Sequence, residues 1–487
     1  MKNLYKVLFL SLILVSTSCN EFFDINDDPN NPSDVSIDLL LPGAQSSMMV
    51  TFGGDYGTLG GYWAQYYTQA PDAGQYEDYD EYNVPSDKFD NQWQEAYAGG
   101  LNDLQIIRDK ATESGDNAYY LIATLIQAYS FQMLADLYND VPFNDALKGS
   151  LNFNPKFDNG ADIYPALLSR IDDAVSRYNS GGAGLDPGTR DIIYGGDMAE
   201  WVRFANTLKL KMYMRMAYTS SADAAAVNAL IADDNFITKD AKFADFGAEQ
   251  GKRNPYYEIQ VSRLGDVNNR ASLSMLQMLQ LSADPRIDGI YVAGSAGHKA
   301  KIQGDFANRD IPNGELSTPN IGATDPVYFM MVAEKDFLVA EALVRYASGS
   351  GAKAAYEAGI EASFAMHGVS GASALYGTGG TYEFVPTGDV ETDIGPIMVQ
   401  KWIALANFMN LEGFFERNRT QYPPFQAAAD QGMAADVGEL TYSFGSVLPQ
   451  GKSPRRLLVP DREVQRNTNA PAQIAQGIGV KVWWDKK

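Results

Sequence analysis

The stretch Asn117-Ala-Tyr-Tyr-Leu-Ile-Ala-Thr-Leu-Ile-Gln-Ala-Tyr-Ser-Phe-Gln-Met-Leu-Ala-Asp-Leu-Tyr138 decides the fold class. Leu121, Leu125, Ala128, Gln132 and Ala135 recur at intervals of three or four, the repeat of one helix face. Apolar residues also occupy the other faces. The segment therefore reads as a helix buried on most sides.

The same periodicity runs through Trp93 to Lys110, Ala161 to Tyr178, Met198 to Tyr218, Val327 to Tyr346, Ala352 to His367 and Ile397 to Asn410. Stops are legible as well: Pro142 follows the central helix, Gly349 and Gly351 separate two others, and Gly368 closes a third. Short turns join 93–110 to 117–138 and 327–346 to 352–367, which predicts antiparallel helical hairpins. Such pairs resemble tetratricopeptide packing, although the repeat's consensus of about 34 residues is not visible. A mainly α fold is expected. Stretches rich in Gly, Asp, Asn and Pro at 181–197, 241–269, 283–326 and 370–395 form a loop-rich region, where recognition is expected. Glu258 to Val261 and Val480 to Trp484 read as short strands.

At 487 residues and 45% apolar content the chain has material for one large core or two fused domains. Its net charge is −23, and an aromatic share of 12% distinguishes it from a disordered acidic chain. An acidic globular surface repels phosphate backbones, so nucleic acid is excluded as a partner class.

Cys19 is the single cysteine, which leaves neither an intramolecular disulfide nor a thiolate metal cage. Lys2 and Lys6, the apolar run Val7 to Val15 and Ser16-Thr17-Ser18 precede it in the order of an export signal. The run is too short to span a bilayer as an ordinary helix. A signal ending at the only cysteine points to cleavage after residue 18 and lipid on the Cys19 sulfur; an export signal with an incidental cysteine is the other reading. Residues 1–18 are thus expected to be a signal, 19–33 a lipidated arm and 34–487 the folded body. In the arm, Asp24, Asn26 and Asp28 have calcium-loop spacing. Pro29 stands where the turn glycine belongs and Val35 where the bidentate glutamate belongs, so no metal site is expected.

Catalytic signals are sparse. His298 and His367 are the only histidines and form no metal-binding pair at helical spacing. His367 sits at a helix end, where an imidazolium would favour the helix dipole. No G-x-S-x-G or G-x-G-x-x-G motif occurs. Gly445 to Ser453 approximates a phosphate loop, but it has one residue too many and Pro449 removes an amide. A carboxylate pair for glycoside hydrolysis cannot be chosen from spacing, because its separation is set by tertiary structure. No cofactor is expected, and the chain reads as a non-enzyme.

Several segments together resemble the SusD/RagB family of nutrient-binding outer-membrane lipoproteins. Gln400 to Leu405, Asn410-Leu-Glu-Gly-Phe-Phe-Glu-Arg417 and Arg419-Thr420 look like the family's long helix and its arginine-bearing end. Ser453-Pro-Arg-Arg-Leu-Leu458, Pro460, Glu463 and Asn467 are similar to its closing segment. Asp24 to Pro32, Ala135 to Phe143 and Ala340-Glu-Ala342 add to the likeness. Phe414 or Phe415 replaces a common tryptophan, and Asn418 interrupts the usual arginine pair. The resemblance implies a SusD-like helical fold lying as a lid on a SusC-like TonB-dependent transporter, anchored by lipid to the outer membrane and facing outward. It would hold an oligosaccharide nutrient, or alternatively an oligopeptide, and pass it inward. A surface glycoside hydrolase is the further alternative.

Read physically, Arg417, Arg455 and Arg456 suit carboxylates or carbonyls at helix ends and so would lock the C-terminal segment to the helical body. Trp402 belongs to the core. For ligand contact, the aromatic region 55–82 is the strongest signal. Tyr62, Trp63, Tyr66 and Tyr67 have helical spacing and favour packing. Tyr76, Tyr79 and Tyr82 lie among carboxylates, and Tyr291, Tyr376 and Tyr382 in glycine-rich loops; these six are the candidate ligand-binding residues, since a phenol ring offers a flat face and a polar tip.

Overall fold

Every residue of Asn117–Tyr138 is buried, and the fold is the set of elements that bury it. The computed structural model describes residues 35–487 apart from Asp266 and Gln476, so Cys19, the export signal and the acidic arm lie outside the described residues. The longer helices, in chain order, are α1 (Ile37–Gly53), α2 (Asp55–Trp63), α3 (Asn102–Ser114), α4 (Asn117–Tyr138), α5 (Gly160–Gly181), α6 (Met198–Arg215), α7 (Ala224–Asp233), α8 (Leu273–Leu281), α9 (Val332–Tyr346), α10 (Ala352–Met366), α11 (Val390–Leu405) and α12 (Asn410–Thr420). The α3–α4 and α9–α10 hairpins form as the short turns require, and α5 and α6 pack on α4 and on each other. The caps are local: Asn159 accepts from the Ala161 amide, Asp197 from Glu200, Asp223 from Ala226 and Asp389 from Thr392. Gly115, at φ 82°, ends α3 in the left-handed conformation that lets the chain reverse into α4.

Among the described residues the strands are short and pair in antiparallel twos: β1 (Tyr67–Gln69) with β5 (Asn269–Ala271), β2 (Asp140–Pro142) with β3 (Phe157–Asn159), β4 (Ala241–Phe243) with β8 (Val327–Met330), and β6 (Tyr291–Val292) with β7 (Thr318–Pro319). The fold is mainly α, as the periodicity predicts.

Some boundaries differ from the sequence reading. Val327–Met330 is strand, and α9 starts only at Val332, whose amide donates to Asp240 Oδ1 at 2.9 Å. The expected helix from Trp93 is α-helical to Gln94, then opens into a π-helix over Glu95–Leu101 before α3. The expected helix Ile397 to Asn410 starts earlier, at Val390, and breaks after Leu405, where Asn407 turns to φ 71° with its amide donating to Asn410 Oδ1. Glu258–Arg263 is π-helix rather than strand, because Asn254 and Pro255 supply a helix start that outweighs the alternating pattern. The Val480 to Trp484 tail pairs with no strand. It is fixed residue by residue, with the Trp483 amide donating to Asn139 Oδ1 and Trp484 Nε1 to Asp136 Oδ1. His367 is held far below the usual histidine range, at about 3, by burial and by Arg286, so it is neutral and the helix-dipole reading does not apply.

Charges inside the core tie the helices together. Arg215 on α6 bridges Asp136 on α4 (3.1 Å) to Glu412 (2.6 Å) and Glu416 on α12. Lys211 lies 3.0 Å from Glu334 and 2.9 Å from Glu412, and Lys401 lies 3.0 Å from Glu416. Arg419 joins Glu341 and Glu416, each at 2.6 Å. The closing segment attaches separately: Arg455 pairs with Asp485 at 2.9 Å, Arg456 donates to the Tyr138 carbonyl, and Arg417 stacks on Phe425 at 3.9 Å.

Candidate ligand-binding face

Tyr76 and Tyr79 come together, with Tyr82 set apart beside Gln65, but all three lie under the surface: each is 3% exposed or less. Tyr62, Tyr76 and Tyr79 form a ring cluster with centroids 5.2 to 5.8 Å apart, extended by Phe89 at 6.0 Å from Tyr79. The hydroxyls of Tyr62 and Tyr76 are partnered. Tyr62 donates to Asn269 Oδ1 at 2.8 Å, and Tyr76 accepts from Gln260. Burial pushes each phenol's pKa upward, so they stay protonated. Tyr291 is buried beside this cluster, donating to the Tyr66 carbonyl at 2.8 Å. Tyr382 is buried elsewhere, donating to Asp284 Oδ2 at 2.9 Å, and Tyr376 donates to Glu361 on α10. Of the charged neighbours that suggested exposure for Tyr76, Tyr79 and Tyr82, Glu77, Asp78 and Glu81 are partly exposed around the short helix Glu77–Asp80, whereas Asp80 is buried with Tyr79.

What these rings support is a set of loops. Asp80, fully buried, accepts from Thr68 Oγ1 (2.8 Å), the Gln69 amide (2.9 Å) and Gln303 Nε2, so one carboxylate joins the 69–76 loop to the 303–309 loop. Burial raises it to about 7 against the pull of those donors. Gln69 holds its own loop, donating to the Ala73 carbonyl and accepting from the Tyr76 amide. A third loop is stitched on by main chain: the Phe444 amide donates to the Gln303 carbonyl at 2.8 Å and that of Val447 to Glu81 at 2.9 Å. Gln65, Asp72 and Tyr82 have φ of 59°, 72° and 60°. Left-handed backbone at non-glycine residues costs energy, so the packing and hydrogen bonds around these loops must hold it in place.

The outer surface of these loops carries the accessible chemistry. Phe444 is 55% exposed and Met433 also faces solvent, with Gly432 under the Phe444 ring. Asp72 and Arg309 pair at 2.7 Å across a shallow cleft of about 390 Å³ that Gly74, Glu77 and the half-buried Phe306 complete. Sequence reasoning missed Phe306, Arg309 and Phe444. Their signal was weak: single aromatics in polar loops, without the density of the 55–82 region.

One constellation suggests hydrolysis. His298 Nδ1 lies 3.2 Å from Ser317 Oγ and Nε2 2.9 Å from Asp288 Oδ1. Yet Ser317 is fully buried while the Asp288 side chain is 80% exposed. A nucleophilic triad requires the opposite order, with serine accessible and carboxylate enclosed. These three residues bridge loops. Among the described residues no group of three His, Cys, Asp or Glu side chains could hold a metal ion, and no helix is long and apolar enough to cross a membrane.

Comparison with known proteins places this architecture. Residues 29–439 match the family model SusD-like_2, described as starch-binding and associating with the outer membrane. A SusD homolog from Bacteroides uniformis superposes with TM-score 0.73 at 20% identity, covering 92% of this chain and 99% of that one. A chitin-binding SusD homolog from Flavobacterium johnsoniae gives 0.74 at 20% identity over 91% and 98%. One from Bacteroides fragilis gives 0.73 at 20% identity over 93% and 100%. Comparison with curated proteins finds no match. With a family model spanning most of the chain and the same fold in these structures, the protein belongs to the SusD-like family.

Proposed function

We propose that this protein is a non-catalytic capture protein for oligosaccharides, holding them on the loop face around Phe444, Phe306 and the Asp72–Arg309 pair. The single observation that carries the reading is an exposed aromatic and a charged cleft mounted on a rigid, hydrogen-bonded tyrosine bed. Sugar rings stack on aromatic faces and their hydroxyls bond to charged side chains, so the face matches that ligand class. The family's starch-binding description and the chitin-binding homolog point the same way. In the same reading Cys19 carries lipid that keeps the protein on the outer membrane, its face turned outward, and the captured sugar passes to a SusC-like TonB-dependent barrel beneath it.

Calorimetry on lipid-free residues 20–487 tests the ligand. Malto-oligosaccharide or chito-oligosaccharide should bind without turnover. Binding of an oligopeptide mixture alone would reassign the cargo to peptide, and hydrolysis abolished by a single carboxylate substitution would reassign the protein to the hydrolases. Tagged protein purified from outer membranes should bring a barrel transporter with it; recovery without one removes the delivery step.

A further inference from the structure

Most buried cations here are paired. Arg215, Arg286, Arg345, Arg419, Lys211 and Lys401 all lie against carboxylates. Arg417 and Arg456 lack a carboxylate but donate to the carbonyls of Pro423 and Tyr138. Arg170 is different. On α5 and half-buried, it stacks on Phe143 at 4.0 Å, and among the described residues it donates no hydrogen bond and meets no carboxylate within ion-pair distance. Burial first, and then the neighbouring Arg108, lower it to about 10, with Tyr120 and Asp158 opposing them.

Arg108, on α3, is spent on neutral partners: Thr124 (3.0 Å), Gln105 (3.0 Å), Gln127 (2.8 Å) and Tyr120. Both guanidinium groups line a cleft of about 700 Å³ between α3, α5 and the loop after β2. The nearby carboxylates have their own donors. Asp109 accepts from Gln105, Asp145 pairs with Lys148, and Asp158 accepts from the amides of Phe143 and Asn144. At the mouth stands Leu151, 89% exposed. Among the described residues, a chain of net charge −23 thus leaves two arginines with no carboxylate in ion-pair contact in one concave place beside an apolar rim.

We propose that this cleft is a second binding site, for a small molecule bearing a carboxylate, which pairs with Arg170 and is reinforced by Arg108 while the ligand's apolar face lies on Leu151. Guanidinium is suited to planar, bidentate carboxylate recognition. The site is built from the helical body rather than from the loop face, so it stands independently of the capture proposed above. Such a carboxylate belongs either to a uronic acid of a glycan or to the end of a peptide.

Calorimetry on the lipid-free chain at low salt distinguishes the sources. The probes are a galacturonate trimer, N-acetyl-Gly-Leu and its C-terminal amide, with maltotriose as the neutral reference. A carboxylated probe should bind and the amide should not; the trimer binding alone assigns a uronate site, and the dipeptide binding alone a peptide-carboxylate site. Arg170→Gln should weaken that binding about tenfold or more while leaving maltotriose unchanged. Leu151→Glu, which keeps every Arg170 contact, should weaken it similarly through like-charge repulsion and covers the case in which Arg170→Gln does not fold. Absence of binding by both carboxylates, or equal affinity in the variants, overturns the proposal.

Discussion

Arg419 grips both oxygens of Glu341, with Nη1 donating to Oε1 at 2.7 Å and Nη2 to Oε2 at 2.6 Å. This fork joins α12 to α9, and its members come from the family-like segments Arg419-Thr420 and Ala340-Glu-Ala342. Removing one partner of a fully buried pair strands the other charge. Arg419→Met should therefore destabilise the protein by about 3–5 kcal/mol, read as a lower urea midpoint, with any fold that survives still binding sugar. The same pairing holds Glu341 and Glu416 below the usual carboxylate range. Their contribution is present above the unfolded pKa and is lost as pH falls through the folded one, so acid should unfold the protein. A midpoint that stays flat on acidification would refute this.

Asp80 titrates in the opposite sense. Its folded pKa of about 7 lies above the ordinary 3.8, so across that window the folded chain holds more proton at this position, and its contribution to stability falls as pH rises. Asp80→Asn removes that slope. Relative to the variant, the wild-type melting temperature should be more favourable near pH 5 than near pH 8. Thermal melts of both proteins at the two pH values decide, and a constant difference defeats the assignment.

Phe444 and Tyr76 should separate binding from folding. Phe444→Ala removes an exposed ring and should weaken oligosaccharide binding by roughly fivefold, about 1 kcal/mol of stacking, without moving the melting temperature. Tyr76→Ala empties a buried site and should cost about 3–5 kcal/mol of stability. Equal effects of the two on melting would remove the distinction between bed and face.

Cys19→Ala should abolish incorporation of labelled palmitate and move the protein from the membrane to the soluble fraction. Retention in the membrane fraction would indicate an anchor other than this sulfur.

The helical body was legible because burial imposes a period. Where the pattern was clear on its own, as in α4 or α10, helix ends fall within a residue or two of expectation. Where a side chain some distance away sets the start, as Asp240 does for α9, the pattern misled by several residues. The proposed ligand face was scarcely legible, for a physical reason. Tyr76, Tyr79 and Tyr82 stood out by density, yet density of large rings is what a core needs. Phe444 stands alone in sequence and gains its place only when main-chain bonds bring residues 303 and 81 beneath it.

Part of the bed beneath these loops fastens onto main-chain atoms. Gln65 clamps the amide and carbonyl of Thr441, Tyr66 donates to the carbonyl of Trp402, and Gln69 to that of Ala73. A carbonyl is the same on every residue, so these clasps are indifferent to the side chain of the residue they hold. On the proposed capture role, substitutions at the clasped positions would change the ligand preferred while the mounting beneath them keeps its shape. Recognition can then vary without a change of architecture.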